Sequence, residues 1–190
     1  YFLNGLDSNT VGTVDATSVR SISGTLAELN TAHESNGISN LGDSVNEVAI
    51  PDDTSVDAYF LNGLDSNTVG TVDAESISGV TGSISDLGTA YTSSEINKLG
   101  DSHETATTTD GYTTAAALNT LDVQTGSATV DAGSINGVTG SISDLGTAYT
   151  SSEINNLGDS NETATTTAGY TTAPALNTPD DQPGSATADA

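Results

Sequence analysis

The stretch Tyr1–Ala16, YFLNGLDSNTVGTVDA, returns unchanged at Tyr59–Ala74. The same offset recurs elsewhere in the chain. Thr13-Val-Asp-Ala returns at Thr71 and Thr129, and as Thr-Ala-Asp-Ala at Thr187. The longer string GVTGSISDLGTAYTSSEIN starts at Gly79 and again at Gly137. A fixed period of this length is the mark of a repeat architecture, in which each unit buries its apolar face only against its neighbours. The 190 residues form one array: 1–58, 59–116, 117–174, and a partial, divergent repeat over 175–190. Tyr1 enters in the phase of Tyr59, inside an expected helix, so the chain reads as a piece of a longer array. One slip is visible: Leu118-Asn119 comes a single position early relative to Leu61-Asn62, and the frame is restored before Thr129. Single-residue slips belong in loops.

A weaker likeness divides each period in two. Leu29-Asn30-Thr31, Leu61-Asn62-Gly63, Leu87-Gly88-Thr89 and Leu118-Asn119-Thr120 recur at alternating long and short spacings, about two to a period. Within a half, Val14–Ile22 and Val72–Val80 are rich in β-branched residues and read as short strands. Thr25-Leu-Ala-Glu28, Ser83-Ile-Ser-Asp86 and Ser141-Ile-Ser-Asp144 follow them. A hydroxyl followed three residues later by an acid is the signature of a capped helix start. Ile84, Leu87 and Tyr91 then share one helical face, as do Ala115, Leu118 and Leu121. Strand and helix alternating at short spacing imply parallel strands joined by crossovers. The expected fold is therefore an α/β repeat solenoid of short parallel strands alternating with short helices, with about 29 residues per coil. The competing architecture is an all-β solenoid in which the hydroxyl residues only make turns. In the last half-repeat Ala116, Leu121 and Thr125 are replaced by Pro174, Pro179 and Pro183, and Val130 by Ala188. Proline costs a helix interior about 3 kcal/mol, so 175–190 is expected to be less regular than 117–132.

Composition narrows the function. There are 26 acidic residues against 2 basic ones, Arg20 and Lys98, for a formal net charge of −24. Such a chain has no means of neutralising nucleic-acid phosphates or docking on an anionic membrane. No apolar run approaches the roughly 20 residues of a membrane span. There is no Cys, hence no disulfide framework and no thiolate chemistry. High charge and 4% aromatic content are also a disorder signature. The regular placement of Ile, Leu and Val argues instead for one thin, continuous core.

The acids fall on the repeat. Asp15, Asp73, Asp131 and Asp189 are equivalent, and so are Asp43, Asp101 and Asp159, each in a Gly-Asp-Ser segment leading to Glu47, Glu104 or Glu162. Carboxylates held near one another favour a hard cation with oxygen ligands. Asp43, Glu47, Asp101, Glu104, Asp159 and Glu162 are thus candidate calcium ligands. The plainer reading makes them turn and helix caps on a soluble surface. His33 and His103 are not equivalent and read as solvated side chains. No cluster interrupts the repeat in the way an active site would, so no catalytic residue is expected. Thr107–Thr109 and Thr165–Thr167 would offer a hydroxyl array to sugar or ice, or simply reflect β-propensity.

The strings TVDATSVRSISGTLAELNTA (13–32) and LNTLDVQTGSATVDAGSINGVTG (118–140) resemble tandem repeats of very large secreted proteins of cyanobacteria and some proteobacteria. Those repeats run as variants of Leu-Asn-Thr-Leu-Asp, then Thr-Gly-Thr-Val-Asp-Ala, then a Thr-Gly-Thr-Ala helix start. The resemblance implies a surface or matrix protein, often with type I secretion and calcium-binding segments elsewhere, and implies no catalytic residues. The calcium segments are lacking here. The expectation is a structural protein, extracellular or on the cell surface, that associates with identical chains into a filament, surface layer or adhesin stalk. The alternative is a binding module for polysaccharide, ice or another cell surface.

Overall fold

A computed structural model describes residues 2–101, 104–158, 162–167 and 187–189. It is an α/β structure of short parallel strands alternating with short helices. Along the chain come α1 (Phe2–Ser8), β1 (Val14–Asp15), β2 (Ser21–Gly24), α2 (Leu26–Glu34), β3 (Ile38–Ser39), β4 (Val48–Pro51), β5 (Ser55–Asp57) and α3 (Ala58–Ser66). Next are β6 (Thr71–Asp73), β7 (Gly79–Gly82), α4 (Ile84–Thr92), β8 (Ile96–Asn97), β9 (Thr105–Thr108), β10 (Tyr112–Thr114) and α5 (Ala115–Gln124). The series continues with β11 (Thr129–Asp131), β12 (Gly137–Gly140), α6 (Ile142–Thr150), β13 (Ile154–Asn155), β14 (Thr163–Thr166) and β15 (Thr187–Asp189).

The chain divides into two compact units, residues 1–80 with 89–99, and 81–88 with 100–190. In the first, β1 pairs with β3, and β2, β4, β6 and β8 form a parallel sheet in that order. In the second, β11 lies between β9 and β13, and β10, β12, β14 and β15 form another parallel sheet. In register, Ser21 faces Val48, Val48 faces Thr71, and Val72 faces Ile96. Each strand thus meets its neighbour sooner along the chain than the expected coil length, which is corrected accordingly. The longer spacing belongs to the helices, which come two to a period. A strand reaches its sheet neighbour after three segments, as β2, α2 and β3 lead to β4, whereas a period holds seven. The longer sheets therefore gather strands from successive periods, and equivalent strands such as β1 and β6 fall in different sheets.

The helices start where their caps allow. Thr25 accepts the Glu28 amide at 3.3 Å, while the Glu28 carboxylate accepts the Thr25 amide at 3.0 Å, a complete capping box. Ser83 and Ser141 accept the amides of Asp86 and Asp144 at 3.1 Å. The strand expected over 14–22 is broken in two. Asp15 turns the chain by accepting the Thr17 amide at 3.0 Å, and the small Ala16 is buried at the corner. Ala74 and Ala132 are buried at the equivalent corners.

The core interleaves large and small side chains. In the first unit Ile22, Ala49, Val72 and Ile96 stand in one row across the sheet; in the second Ala106, Val130 and Ile154 do so. Leu61, Leu64, Leu118 and Leu121 are fully buried on the inner faces of α3 and α5. Burying one such leucine contributes about 1.5–3 kcal/mol. Both halves of the slip lie in loops, as expected. The turn from Gly42 to Glu47 has one residue more than that from Gly100 to Glu104, and the turn after α5 restores it over Gly126–Ala128. Most of 175–190 lies outside the described residues; β15 pairs parallel with β14.

Candidate functional site

The Gly-Asp-Ser…Glu segments follow the short strands β3, β8 and β13. The chain leaves each strand through a left-handed residue, Asn40, Lys98 or Asn156, with φ of 63°, 72° and 61°. A left-handed glycine follows two residues later, Gly42, Gly100 or Gly158, at φ 79°, 86° and 85°. At Gly42 a β-carbon would also lie 2.6 Å from the Asn67 carbonyl oxygen, so both conformation and space require glycine. Two left-handed residues close together reverse the chain, and the glutamate at the end of the turn points inward.

Glu47, Glu104 and Glu162 are 1%, 5% and 1% exposed. The Glu47 Oε2 accepts the Gly42 amide at 2.9 Å, and the Glu162 Oε1 accepts the Gly158 amide. A buried carboxylate thus closes the loop that carries it. The aspartates of the same loops go the other way: Asp43 and Asp101 are exposed, and Asp159 lies outside the described residues. In the two turns whose aspartate is described, the Asp is exposed while the Glu is buried. Among the described residues no group of three or more His, Asp or Glu side chains could hold a metal ion.

His33 is not the solvated side chain the sequence suggested; its side chain is 0% exposed. Its Nδ1 meets the Leu29 carbonyl at 2.9 Å and its Nε2 meets Glu47 Oε1 at 3.1 Å. A carbonyl only accepts, so Nδ1 carries a proton. The Nε2 contact then needs one more, on the ring or on the carboxyl. The pair is neutral overall in either form, which lets it be buried. His103 lies outside the described residues. One period later the position of His33 is Tyr91, and two periods later Tyr149. Tyr149 is 6% exposed, and its hydroxyl has no hydrogen-bond partner among the described residues. Burial first, and the charge of Glu162 second, push its pKa up to about 12. A ring from the preceding helix thus lies near Glu47 and near Glu162. The change to His33 was hidden in the sequence because spacing does not show which side chains meet.

Two further carboxylate sets have structural roles that sequence reading passed over. Ser35, Ser93 and Ser151 donate to the carboxylates of Asp7, Asp65 and Asp122 at 2.8, 2.9 and 3.0 Å. Burial raises the Asp65 pKa, the Ser93 hydrogen bond opposes this, and the charge of Glu95 adds to it. Asp53 and Asp110 cap the helices of other segments, accepting the Leu26 amide at 2.5 Å and the Ile84 amide at 2.6 Å. The Asp15 column acts as turn closures: Asp15 and Asp131 each accept an Asn side chain across the sheet, from Asn40 at 2.9 Å and Asn156 at 2.8 Å. Hydrogen bonds, with Thr17 Oγ first, hold the exposed Asp15 carboxyl below its usual range.

Chemically, these carboxylates accept from backbone amides, hydroxyls and carboxamides, and fasten one coil to the next. Arg20 donates to the carbonyls of Thr17 and Val19 at 2.9 Å, and the one ion pair among the described residues is His33–Glu47. No known family model, characterised protein or solved structure matches the chain.

Proposed function

We propose that this chain is a structural repeat protein acting outside the cell, where it builds a filament, surface layer or adhesin stalk with identical chains. The observation that carries the reading is the recurrence of the same inter-coil bonds period after period. The Asp–Ser bond at 7/35, 65/93 and 122/151 is the clearest case. Bonds that repeat in this way let an array lengthen by adding units, with stability growing as a sum of nearest-neighbour terms. The resemblance to secreted bacterial repeats, the absence of Cys and the net charge of −24 support a place outside the cell and against nucleic acid. Among the described residues no helix is long and apolar enough to cross a membrane. Asp7, Asp65, Asp122, Glu47 and Glu162 are occupied as staples, which favours a non-enzymatic role. Electron microscopy of the native material tests this: filaments or sheets are expected, and compact single particles would refute it.

A second reading, a binding module for polysaccharide or ice, is favoured by one surface. Thr114, Thr139 and Thr165 stand in one row across β10, β12 and β14, beside the exposed Tyr112. A glycan array or an ice-recrystallisation assay without signal would dismiss it. Calcium at the Gly-Asp-Ser…Glu turns is a separate proposal that rests on the exposed Asp43 and Asp101.

A further inference from the structure

Asn-Gly pairs occur in the chain at 4–5, 36–37, 62–63 and 136–137. Such a pair can consume its own carboxamide. The glycine amide nitrogen attacks the asparagine Cγ and expels ammonia, and the missing β-carbon leaves that approach open. Whether a pair reacts depends on how freely it moves. Asn4-Gly5 and Asn62-Gly63 lie inside α1 and α3, and Asn4 donates to the Glu28 carbonyl at 3.0 Å. Asn136 donates to the Ser134 carbonyl at 3.2 Å, and Gly137 opens β12 between β10 and β14. Asn36-Gly37 instead sits in the turn between α2 and β3. There Asn36 is exposed, and its side chain makes no hydrogen bond among the described residues.

The same turn holds the groups that the reaction needs. The Gly37 amide donates to Ser35 Oγ at 3.0 Å, and Ser35 Oγ donates to Asp7 Oδ2 at 2.8 Å. Asp7 Oδ1 lies against Gly37, where a β-carbon would collide with it. Nitrogen, hydroxyl and carboxylate thus form a relay able to draw the proton off the attacking atom. The relay recurs from the Glu95 amide through Ser93 to Asp65, and from the Glu153 amide through Ser151 to Asp122. In those turns the preceding residue is Ser94 or Ser152, so no carboxamide stands beside the nitrogen. The first period joins the relay to an Asn-Gly pair.

We propose that Asn36 is a self-modifying position, at which the Asp7–Ser35 relay promotes deamidation through Gly37. As the Gly37 nitrogen bonds to Asn36 Cγ, its proton passes through Ser35 Oγ towards Asp7. The Cγ–Nδ2 bond breaks, Nδ2 takes up that proton and leaves as ammonia, and the main chain closes into a succinimide. Water then opens the ring at either carbonyl, leaving aspartate or isoaspartate. Both products place a new carboxylate in the turn that already holds Asp7. Isoaspartate also lengthens the main chain just ahead of β3. The Val14 amide donates to the Gly37 carbonyl at 2.8 Å there, and Val14 faces Ile38, so the modification loosens the β1–β3 pairing.

The test is peptide mass mapping of the folded full chain during incubation at neutral pH, with isoaspartate read by an isoaspartyl methyltransferase. Asn36 should convert about tenfold faster than Asn62 or Asn136, which must wait for local opening. In urea this advantage should vanish. Asp7→Asn keeps an acceptor for Ser35 but removes the base, and Ser35→Ala interrupts the relay; each should slow conversion at Asn36 severalfold. Asp122→Asn, the same change two periods on, should leave the Asn36 rate as it was. An Asn36 that lasts as long as Asn62 in the folded chain overturns the proposal. So does an advantage that persists in urea, or conversion at the parent rate in the folded Asp7→Asn and Ser35→Ala chains.

Discussion

A buried carboxylate is tolerable only when every lone pair that matters has a donor, and Glu47 meets that condition through Gly42 and His33. Glu47→Ala removes the acceptor and leaves a buried amide and imidazole unpaired. A loss of about 3–5 kcal/mol in urea unfolding is expected, the range for breaking a buried pair from one side. His33→Tyr should cost far less, because tyrosine already fills this position at 91 and 149. Tyr149 shows the opposite imbalance, a buried hydroxyl with no partner among the described residues. Its folded pKa of about 12 lies above the ordinary value of 10, so the fold favours the protonated ring. That contribution is complete below pH 10 and is lost as pH rises towards 12. Tyr149→Phe should flatten this part of the pH–stability curve, and at neutral pH should match or exceed the parent, since it removes an unpaired group. Asp65 also has a raised pKa, so its ionised form opposes folding and stability falls as pH rises through its range. Asp65→Asn keeps an acceptor for Ser93 and should stabilise the chain at neutral pH in thermal unfolding.

Elements this short depend on their ends. A helix as brief as α2 or α4 is marginal alone. Its caps and its packing stripe decide whether it forms. Thr25→Ala should cost about 1 kcal/mol, and Asp110→Ala a similar amount through the Ile84 amide, both read by chemical unfolding. The capping pattern at Thr25, Ser83 and Ser141 was readable from the sequence because both partners lie within one helical turn. The caps from Asp53 and Asp110 were not, since each reaches a helix of a different segment, a whole coil away. The split of 14–22 into two strands was hidden for a related reason. Val and Ile favour extended backbone on either side of a corner, and only the Asp15 turn and the buried Ala16 place the bend.

Across the whole molecule, repetition spreads a large net charge over many sites, and recurring carboxylates such as Asp7, Asp65, Asp122 and Glu47 meet a hydroxyl, amide or ring. Stability should therefore rise with salt, which screens the residual repulsion among 26 acids. A chelator should leave the melting temperature unchanged if the glutamate turns are held by Gly42 and His33 alone; a fall of several degrees would instead establish calcium at Asp43, Asp101 and their partners.

Amino-acid order alone determined the period, the parallel α/β class, the helix starts and the alternation of strand and helix, because these follow from local patterns that recur from one period to the next. It could not determine which strands become neighbours. That depends on how many segments the chain needs to return over itself, and three-segment turns do not divide evenly into seven-segment periods. Nor could it separate Asp43 from Glu47, two acids of one loop. Chain reversal at Gly42 sends one into water and the other into the core, and that difference arises only once the backbone closes in three dimensions.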